Sequence, residues 1–197
     1  MKNYFVTGAT GAIGSALIPL LLADPETRVQ LLLRAKSPRE LVERREELCR
    51  FWEIAADDAP ARERIRAWRG DVTLPRFGLE DAAYGALAAE CTHIVHSAGN
   101  VRMNLPIEQA RRSSVGSAAN ILELANACGK LQKIEFVSTV GVGGRTRGAV
   151  PEEWLSGPRE FHNTYEQAKA EAEERLRPAV ECGLPLTVHR PSMVVGN

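Results

Sequence analysis

Three glycines, at positions 8, 11 and 14, follow a short apolar stretch almost at the start of this chain. The stretch Tyr4-Phe5-Val6 predicts a buried strand, and residues 12–23 predict a helix. Glycines between a strand and a helix allow a tight turn, which brings backbone amides of the helix N-terminus toward bound phosphates. The spacing G-x-x-G-x-x-G is a variant of the usual dinucleotide fingerprint G-x-G-x-x-G. We therefore predict a nucleotide-binding turn rather than an ordinary glycine-rich loop.

The alternation of strand and helix continues along the whole chain. Apolar stretches predict five further strands, at 29–33, 67–70, 93–96, 133–138 and 186–189. Helical patterns occupy the segments between them, at 38–55, 61–66, 79–90, 114–128 and 164–182, and Ser37 before Pro38 is typical of a helix start. This order predicts an α/β fold, a Rossmann-like doubly wound parallel sheet with helices on both faces. We assign residues 1–197 to one such domain.

Composition excludes several other classes of protein. The chain has 25 basic and 25 acidic residues, and acids are interleaved through the Arg-rich segment 39–69. We therefore expect a solvated helical surface in that segment and no nucleic-acid partner. Four widely spaced cysteines without a C-x-x-C pair argue against a metal site and against disulfides. Together with the lack of an apolar run of ~20 residues, which a membrane span requires, these features predict a cytoplasmic protein with reduced thiols.

Contacts to the nucleotide are expected at the carboxyl ends of the strands. In the first turn, Gly8 permits the tight bend, Gly11 lets the backbone approach the pyrophosphate, and Gly14 permits close packing of helix and strand. Small residues after the fourth strand would let the backbone pass under the cofactor, and at least one of His93 and His96 on that strand is expected to pack inward. The cofactor contacts predicted in these two segments are Gly8, Thr10, Gly11, Ala12, Ile13, Gly14, Ser97, Ala98 and Gly99.

The ends of the second and third strands bear on the adenosine part of the cofactor. The second strand ends at Arg34, without the carboxylate that binds the 2′-hydroxyl of NAD, and a guanidinium can clamp a 2′-phosphate. NADP(H) is therefore favoured over NAD(H), and the alternative is that Arg34 is an exposed loop residue. The third strand is followed by Asp71 and Val72. The Asp71 carboxylate can accept a hydrogen bond from adenine or, alternatively, cap a turn.

A phenol and an ammonium lie four residues apart, at Tyr165 and Lys169, and so share one face of a predicted helix. A nearby ammonium favours the phenolate, and we expect it to lower the pKa of Tyr165 and make it a usable proton donor. The fifth strand ends in Ser138-Thr139, at the sheet edge that faces the same crevice. Alternation along the strand turns one of these hydroxyls toward the cleft, where it can hold a substrate carbonyl.

The T-G-x-x-G-x-x-G start, the hydroxyl after the fifth strand and the Y-x-x-x-K pair resemble the extended short-chain dehydrogenase/reductase superfamily. The stretches LLLRAKSPRELVERREEL, GDVTLPRFGL, HIVHSAGNV and FVSTVGVGG are similar to its thioester reductase, fatty acyl-CoA reductase and carboxylic acid reductase group. This resemblance implies NADPH-dependent reduction of an acyl thioester, carried on CoA or on a carrier protein, to an aldehyde or an alcohol.

The resemblance also implies roles for individual residues. Thr139 would be the catalytic hydroxyl, Tyr165 the acid, and Lys169 the residue that binds the nicotinamide ribose and lowers the tyrosine pKa. The segment after the sixth strand would run along the nicotinamide. With these assignments, the remaining predicted cofactor contacts are Arg34, Asp71, Val72, Ser138, Tyr165, Lys169, Pro191 and Ser192, and no metal is implied.

Two departures from the family pattern keep other functions open. The family's N-V-x-G-T is replaced by the run from Ser114 to Ala118, which predicts a weaker proton relay. Extended members also carry a substrate-binding region beyond the R-P-S strand, which we expect to be truncated here and supplied by a further C-terminal domain or a homo-oligomer. One alternative is a sugar-nucleotide epimerase or dehydratase, which Arg34 disfavours. The other is a non-catalytic cofactor-binding module.

Overall fold

A parallel sheet of six strands forms the centre of the computed structural model, which describes residues 1–194. The strands are β1 (Lys2–Thr7), β2 (Thr27–Leu33), β3 (Ile65–Arg69), β4 (His93–His96), β5 (Lys133–Val137) and β6 (Leu186–His189). Their order across the sheet is β3-β2-β1-β4-β5-β6, and every neighbouring pair is parallel. The strand order reverses between β1 and β4, so the crevice at their carboxyl ends is the expected ligand site.

Helices pack on both faces of this sheet, which confirms the predicted doubly wound α/β fold. They are α1 (Ala12–Leu22), α2 (Pro38–Phe51), α3 (Ala59–Glu63), α4 (Asp81–Glu90), α5 (Ile107–Arg111), α6 (Ser117–Ala127) and α7 (Thr164–Glu181). Ile18 of α1 and Leu48 of α2 belong to the core cluster on one face. Leu87 of α4, Ile121 of α6 and Leu176 of α7 belong to the cluster on the other. Strands covered on both sides explain the continuous apolar runs in the sequence.

The predicted elements are present, although several boundaries differ by a few residues. Helix α2 ends at Phe51 rather than at residue 55, and β3 already begins at Ile65, where the sequence predicts helix. Ser37 Oγ accepts a hydrogen bond from Glu40 N at 3.1 Å, so the predicted N-cap is confirmed. The segment 39–69 is not only a solvated surface, because Arg45 Nε donates to Ile65 O at 3.0 Å and ties α2 to β3.

The helical run before α6 begins earlier than the sequence predicts and is irregular. Helix α5 starts at Ile107, and residues 112–116 form a π-helical turn that leads into α6. Ser117 Oγ donates to Ser113 O at 2.7 Å at the end of this turn. Such turns are rare and occur frequently near functional sites. Among residues 1–194, no helix combines the length and the apolar character needed to cross a lipid bilayer.

Candidate cofactor and catalytic site

The glycine turn between β1 and α1 is packed so closely that side chains would collide with its backbone. Gly8 has a φ of 81°, and Gly11 N donates to Gly8 O at 2.9 Å. A Cβ at Gly8 would lie 2.6 Å from Ala98 N, and a Cβ at Gly14 would lie 2.2 Å from Gly8 O. The structure thus has the tight turn and the close packing that the spacing predicts. A turn of this shape at a helix N-terminus fits a pyrophosphate.

The other predicted contacts of this turn lie where a ligand can reach them. Thr10, Gly11 and Ala12 are exposed at the start of α1, and Ile13 is half-buried. The N-terminus of α1 is thus accessible, and the contacts of these residues with a cofactor stay predictions.

The segment after β4 lies directly behind the glycine turn. Ser97 Oγ donates to Thr7 O at 2.9 Å, and Ala98 N donates to Thr7 Oγ1 at 3.4 Å. A Cβ at Gly99 would lie 3.5 Å from Lys169 Nζ. The small residues 97–99 therefore connect the glycine turn with α7, and a methyl group at position 99 would be in van der Waals contact with the lysine.

Two guanidinium side chains border the end of β2. Arg34 is exposed. Its guanidinium forms no salt bridge with a carboxylate within residues 1–194, whereas Arg39 on the neighbouring helix pairs with Glu43. Arg44 Nη1 of α2 donates to Arg34 O at 2.5 Å. Arg44 also lines a cleft of about 240 Å³ beside the glycine turn. Arg44 was not predicted as a site residue, because its place in a charged amphipathic helix carries no signal that it folds back to β2.

Asp71 begins the loop after β3 and caps a turn there. Its Oδ1 accepts from Thr73 N at 2.9 Å and from Thr73 Oγ1 at 2.8 Å. The loop closes through Asp71 N, which donates to Phe77 O at 2.9 Å, and Val72 O accepts from Asn120 Nδ2 at 2.8 Å. The turn-capping role, which was the alternative interpretation, is therefore present. A contact of Asp71 and Val72 with adenine stays a prediction.

The two hydroxyls at the end of β5 point in different directions, as strand alternation predicts. Ser138 is buried, and its Oγ has no hydrogen-bond partner in the described part of the chain. Thr139 is half-buried and lies beside Tyr165. Its Oγ1 accepts from Gly141 N at 3.2 Å and caps a short 3₁₀ turn. Thr139 is therefore the hydroxyl that faces the phenol.

Tyr165 lies in the first turn of α7, and contacts on both sides hold this turn. Asn163 Oδ1 accepts from Glu166 N at 2.9 Å, which is a typical N-cap. A Cβ at Gly141 would lie 2.7 Å from Glu166 Cγ. The turn that follows Thr139 therefore packs directly against the turn that carries Tyr165, so the two hydroxyl groups are held together.

Lys169 lies one helical turn after Tyr165 and is buried. Its Nζ donates to Val137 O at 2.9 Å and lies 5.6 Å from the centre of the Phe136 ring. Burial lowers the pKa of Lys169 to about 8, and the charge of Glu173 acts in the opposite direction. The ammonium is thus fixed at the end of β5, on the same side of the crevice as Tyr165.

The expected lowering of the Tyr165 pKa is wrong for this structure. Burial raises the pKa of the Tyr165 phenol, and the nearby Thr139 hydroxyl opposes this shift only in part. The Lys169 ammonium is directed at the Val137 carbonyl instead of the phenol. Tyr165 is therefore a neutral phenol at pH 7, which suits a proton donor.

His96, at the end of β4, is a buried histidine next to this site. His96 Nδ1 lies 2.8 Å from Thr7 Oγ1, and His96 Nε2 lies 3.3 Å from Ser117 Oγ. Burial, together with the charge of Lys169, lowers the pKa of His96 to about 3, so the ring is neutral. The prediction that at least one of His93 and His96 packs inward is confirmed. The hydrogen bonds of His96 tie β1 and α6 to the end of β4.

The segment after β6 borders the same turn as Thr139. Pro191 O accepts from Val140 N at 3.1 Å, and His189 O accepts from Ser138 N at 2.7 Å. Ser192 is exposed next to them. Both Pro191 and Ser192 therefore lie at the carboxyl edge of the sheet, and their contact with the nicotinamide stays a prediction.

A large groove borders this site. It is a groove of about 1240 Å³ on the α1 face of the sheet, with lining residues that include Val95, Val137, Val188 and Trp154. Parallel sheets are usually covered on both faces. The apolar part of this lining is therefore typical of a packing surface, and the groove meets the predicted cofactor contacts at Ile13 and Pro191.

Comparison with known proteins gives the family. The model of an NAD-binding family described as Male sterility protein matches residues 6–197. Isonitrile lipopeptide synthase of Streptomyces coeruleorubidus is 34% identical over 97% of this chain. The L-2-aminoadipate reductase large subunit of Penicillium chrysogenum is 28% identical over 98% of it. The chain spans only 13% and 15% of these two proteins.

Solved structures share the fold. The terminal R domain from the myxalamid PKS-NRPS biosynthetic pathway aligns with a TM-score of 0.86 and 31% identity, over 100% of this chain and 50% of its own. The reductase domain of a nonribosomal peptide synthetase from Mycobacterium tuberculosis aligns with a TM-score of 0.74 and 26% identity, over 98% and 48%. This chain therefore belongs to the Male sterility family of NAD(P)-dependent oxidoreductases, within the extended short-chain dehydrogenase/reductase superfamily.

Proposed function

We propose that this chain is the NADPH-binding part of a reductase that converts an acyl thioester, on CoA or on a carrier protein, to an aldehyde or an alcohol. The observation that carries this proposal is the meeting of Thr139, Tyr165 and Lys169 at the crevice beside the glycine turn. The reductase domain of a nonribosomal peptide synthetase, at 26% identity, and the terminal R domain of a PKS-NRPS pathway, at 31% identity, support the thioester as the substrate class.

The cofactor would lie across the carboxyl ends of the strands. The glycine turn at 8–14 fits the pyrophosphate, and the guanidinium groups of Arg34 and Arg44 at the end of β2 fit a 2′-phosphate. Lys169 Nζ, beside Gly99, would hold the nicotinamide ribose. When bound, the nicotinamide supplies the hydride.

The hydroxyl groups would act on the substrate oxygen. Gly141 N donates to Thr139 Oγ1 and orients this hydroxyl beside the phenol, so that with substrate bound the Thr139 proton would be donated to the carbonyl oxygen of the thioester. The neutral phenol of Tyr165 can donate its proton to the same oxygen as negative charge develops there. One hydride at the carbonyl carbon, one proton at the oxygen and loss of the thiol leave an aldehyde. A second hydride and a second proton would give the alcohol.

Residues that bind the acyl group are proposed to lie outside this chain. The chain spans about half the length of the solved reductase domains that it matches. A C-terminal domain or a second copy of the chain would then close the substrate side of the crevice.

The Arg34→Ala variant tests the cofactor assignment. A charge-assisted contact with the 2′-phosphate is worth about 1.5–3 kcal/mol, so we expect NADPH to bind about 10- to 100-fold more weakly while NADH binding is nearly unchanged. Fluorescence titration of the purified chain with each cofactor measures both affinities. Arg28→Ala, at the other end of β2 and also exposed, is the matched control. Equal losses for NADPH and NADH would show that Arg34 is only a surface residue.

Thioester reduction itself is tested with acyl-CoA and with pantetheine-bound acyl groups. The chain is assayed within its full-length natural protein. We expect the absorbance of NADPH to fall while free thiol is released, and we expect an aldehyde that can be trapped as a hydrazone. Tight NADPH binding without reduction of any thioester would instead support a non-catalytic cofactor-binding module.

A further inference from the structure

A buried ion pair that includes Glu173 of α7, one helical turn after Lys169, has no part in the chemistry proposed above. Arg190 follows β6, and its guanidinium lies against the carboxylate of Glu173 on α7. The distance from Nη2 to Oε2 is 2.6 Å, and that from Nε to Oε1 is 3.1 Å. The Arg190 and Glu173 side chains are only 14% and 5% exposed. A buried pair of this kind contributes little net stability, because desolvation of both charges offsets their attraction.

The same guanidinium also binds the loop that precedes α7. Arg190 Nη1 donates to Pro151 O at 3.0 Å, and Arg190 Nη2 donates to Glu153 O at 2.9 Å. Next to these residues, Val150 packs on Gly143, where a Cβ would lie 2.5 Å from Val150 Cγ2. Gly143 ends the 3₁₀ turn after β5. The Arg190 side chain thus joins the end of β6, α7 and the loop that contacts the 3₁₀ turn after Thr139.

Glu173 lies one helical turn after Lys169, and its negative charge favours the ammonium form of that lysine. Two further titratable groups lie near the lysine: Tyr165 lies one helical turn before it, and the pKa of His96 responds to its charge. Tyr165 on α7 has a raised pKa, and His96 on β4 has a pKa of about 3, so both are neutral at pH 7. Arg190 faces Glu173 from the end of β6. In the described part of the chain, Glu173 is thus the anion that opposes the effect of burial on Lys169.

We propose that Glu173 and Arg190 act as a positioning pair for Lys169, in which Arg190 fixes the Glu173 carboxylate and that carboxylate keeps the lysine cationic. The inference deepens the proposed function and rests on it, since the charge of Lys169 matters for catalysis only if this residue binds the cofactor ribose. The pair touches neither the predicted cofactor site nor the reacting atoms, and acts through Lys169.

The protonation of Lys169 can be measured in the cofactor-free chain. The sequence contains few lysines, so ¹³C labelling at lysine Cε gives few NMR signals, and the signal missing from Lys169→Met identifies this residue. We expect its titration midpoint near the pKa of about 8 in the wild type. In Glu173→Gln the midpoint should be at least about one pH unit lower, because an opposite charge is removed. Glu174→Gln is the matched control, since Glu174 is 59% exposed and pairs with Arg159.

Two further measurements test the pair itself. In Arg190→Lys the charge remains, but an ammonium does not reproduce the fork of contacts, so the midpoint should lie between those of the wild type and Glu173→Gln. At pH 8 the cationic fraction of Lys169 in Glu173→Gln should fall from about one half to about one tenth. If only the cationic form binds well, NADPH affinity at that pH falls about five-fold, with no change in Glu174→Gln.

An unchanged midpoint in a Glu173→Gln chain that unfolds like the wild type would overturn the inference, even if the chain binds NADPH. A lowered midpoint in a chain that reduces no thioester would support the pair and refute only the proposed function. If Glu173→Gln does not fold, the double variant with Arg190→Met takes its place, because it leaves no unpaired buried ion. Its midpoint should still lie below that of the wild type, by less than in Glu173→Gln, because a cation is removed together with the carboxylate.

Discussion

Tyr165→Phe is expected to lower the turnover of thioester reduction at least about 100-fold, because general-acid catalysis contributes about 10²- to 10⁴-fold. The variant loses the hydroxyl beside Thr139 but keeps the ring that packs in the first turn of α7. NADPH affinity should stay within about two-fold of the wild type, since the backbone of the glycine turn is untouched. Steady-state kinetics and a fluorescence titration of the same preparation separate the two effects.

Tyr84→Phe is the matched control for this experiment. The Tyr84 hydroxyl is buried in α4 and finds no hydrogen-bond partner within residues 1–194, so its removal costs no bond. We expect wild-type turnover in this variant. Tyr165→Phe with wild-type turnover would remove Tyr165 from the role of acid and leave Thr139 as the remaining hydroxyl at the carbonyl.

Gly14→Ala is expected to weaken NADPH binding at least about ten-fold and to destabilise the chain by about 1–3 kcal/mol. The added methyl group would lie 2.2 Å from Gly8 O and 2.9 Å from Ser97 Oγ, so α1 has to move away from β1. That movement displaces the amides that are proposed to face the pyrophosphate. Urea unfolding measures the stability, and titration with NADPH measures the binding.

Gly85→Ala makes the same chemical change where the structure has room for it. Gly85 is exposed in the middle of α4, and nothing lies within 4 Å of the position that an added methyl group would take. Alanine is the better helix former, so we expect about 0.5–1 kcal/mol more stability and unchanged NADPH binding. If Gly14→Ala bound NADPH like Gly85→Ala, the glycine turn could not be the pyrophosphate cradle.

Local patterns were sufficient wherever a feature depends on residues close together in the chain. The glycine turn, the Ser37 cap and the strand runs of β1, β2 and β4 follow from spacing and apolar periodicity. Local patterns did not predict the start of β3 at Ile65 or the π turn at 112–116. In both, pairing and packing with distant elements override the weak local preference.

The sequence by itself determined the doubly wound sheet, the position of the glycine turn and the choice of Tyr165 and Lys169 as a pair on one helix face. Only the tertiary structure decided how the charges at the site act. Lys169 binds Val137 O instead of acting on the phenol, and Arg190 reaches Glu173 from another element. Burial and distance set the protonation of such groups, and both arise when separate segments of the chain pack together.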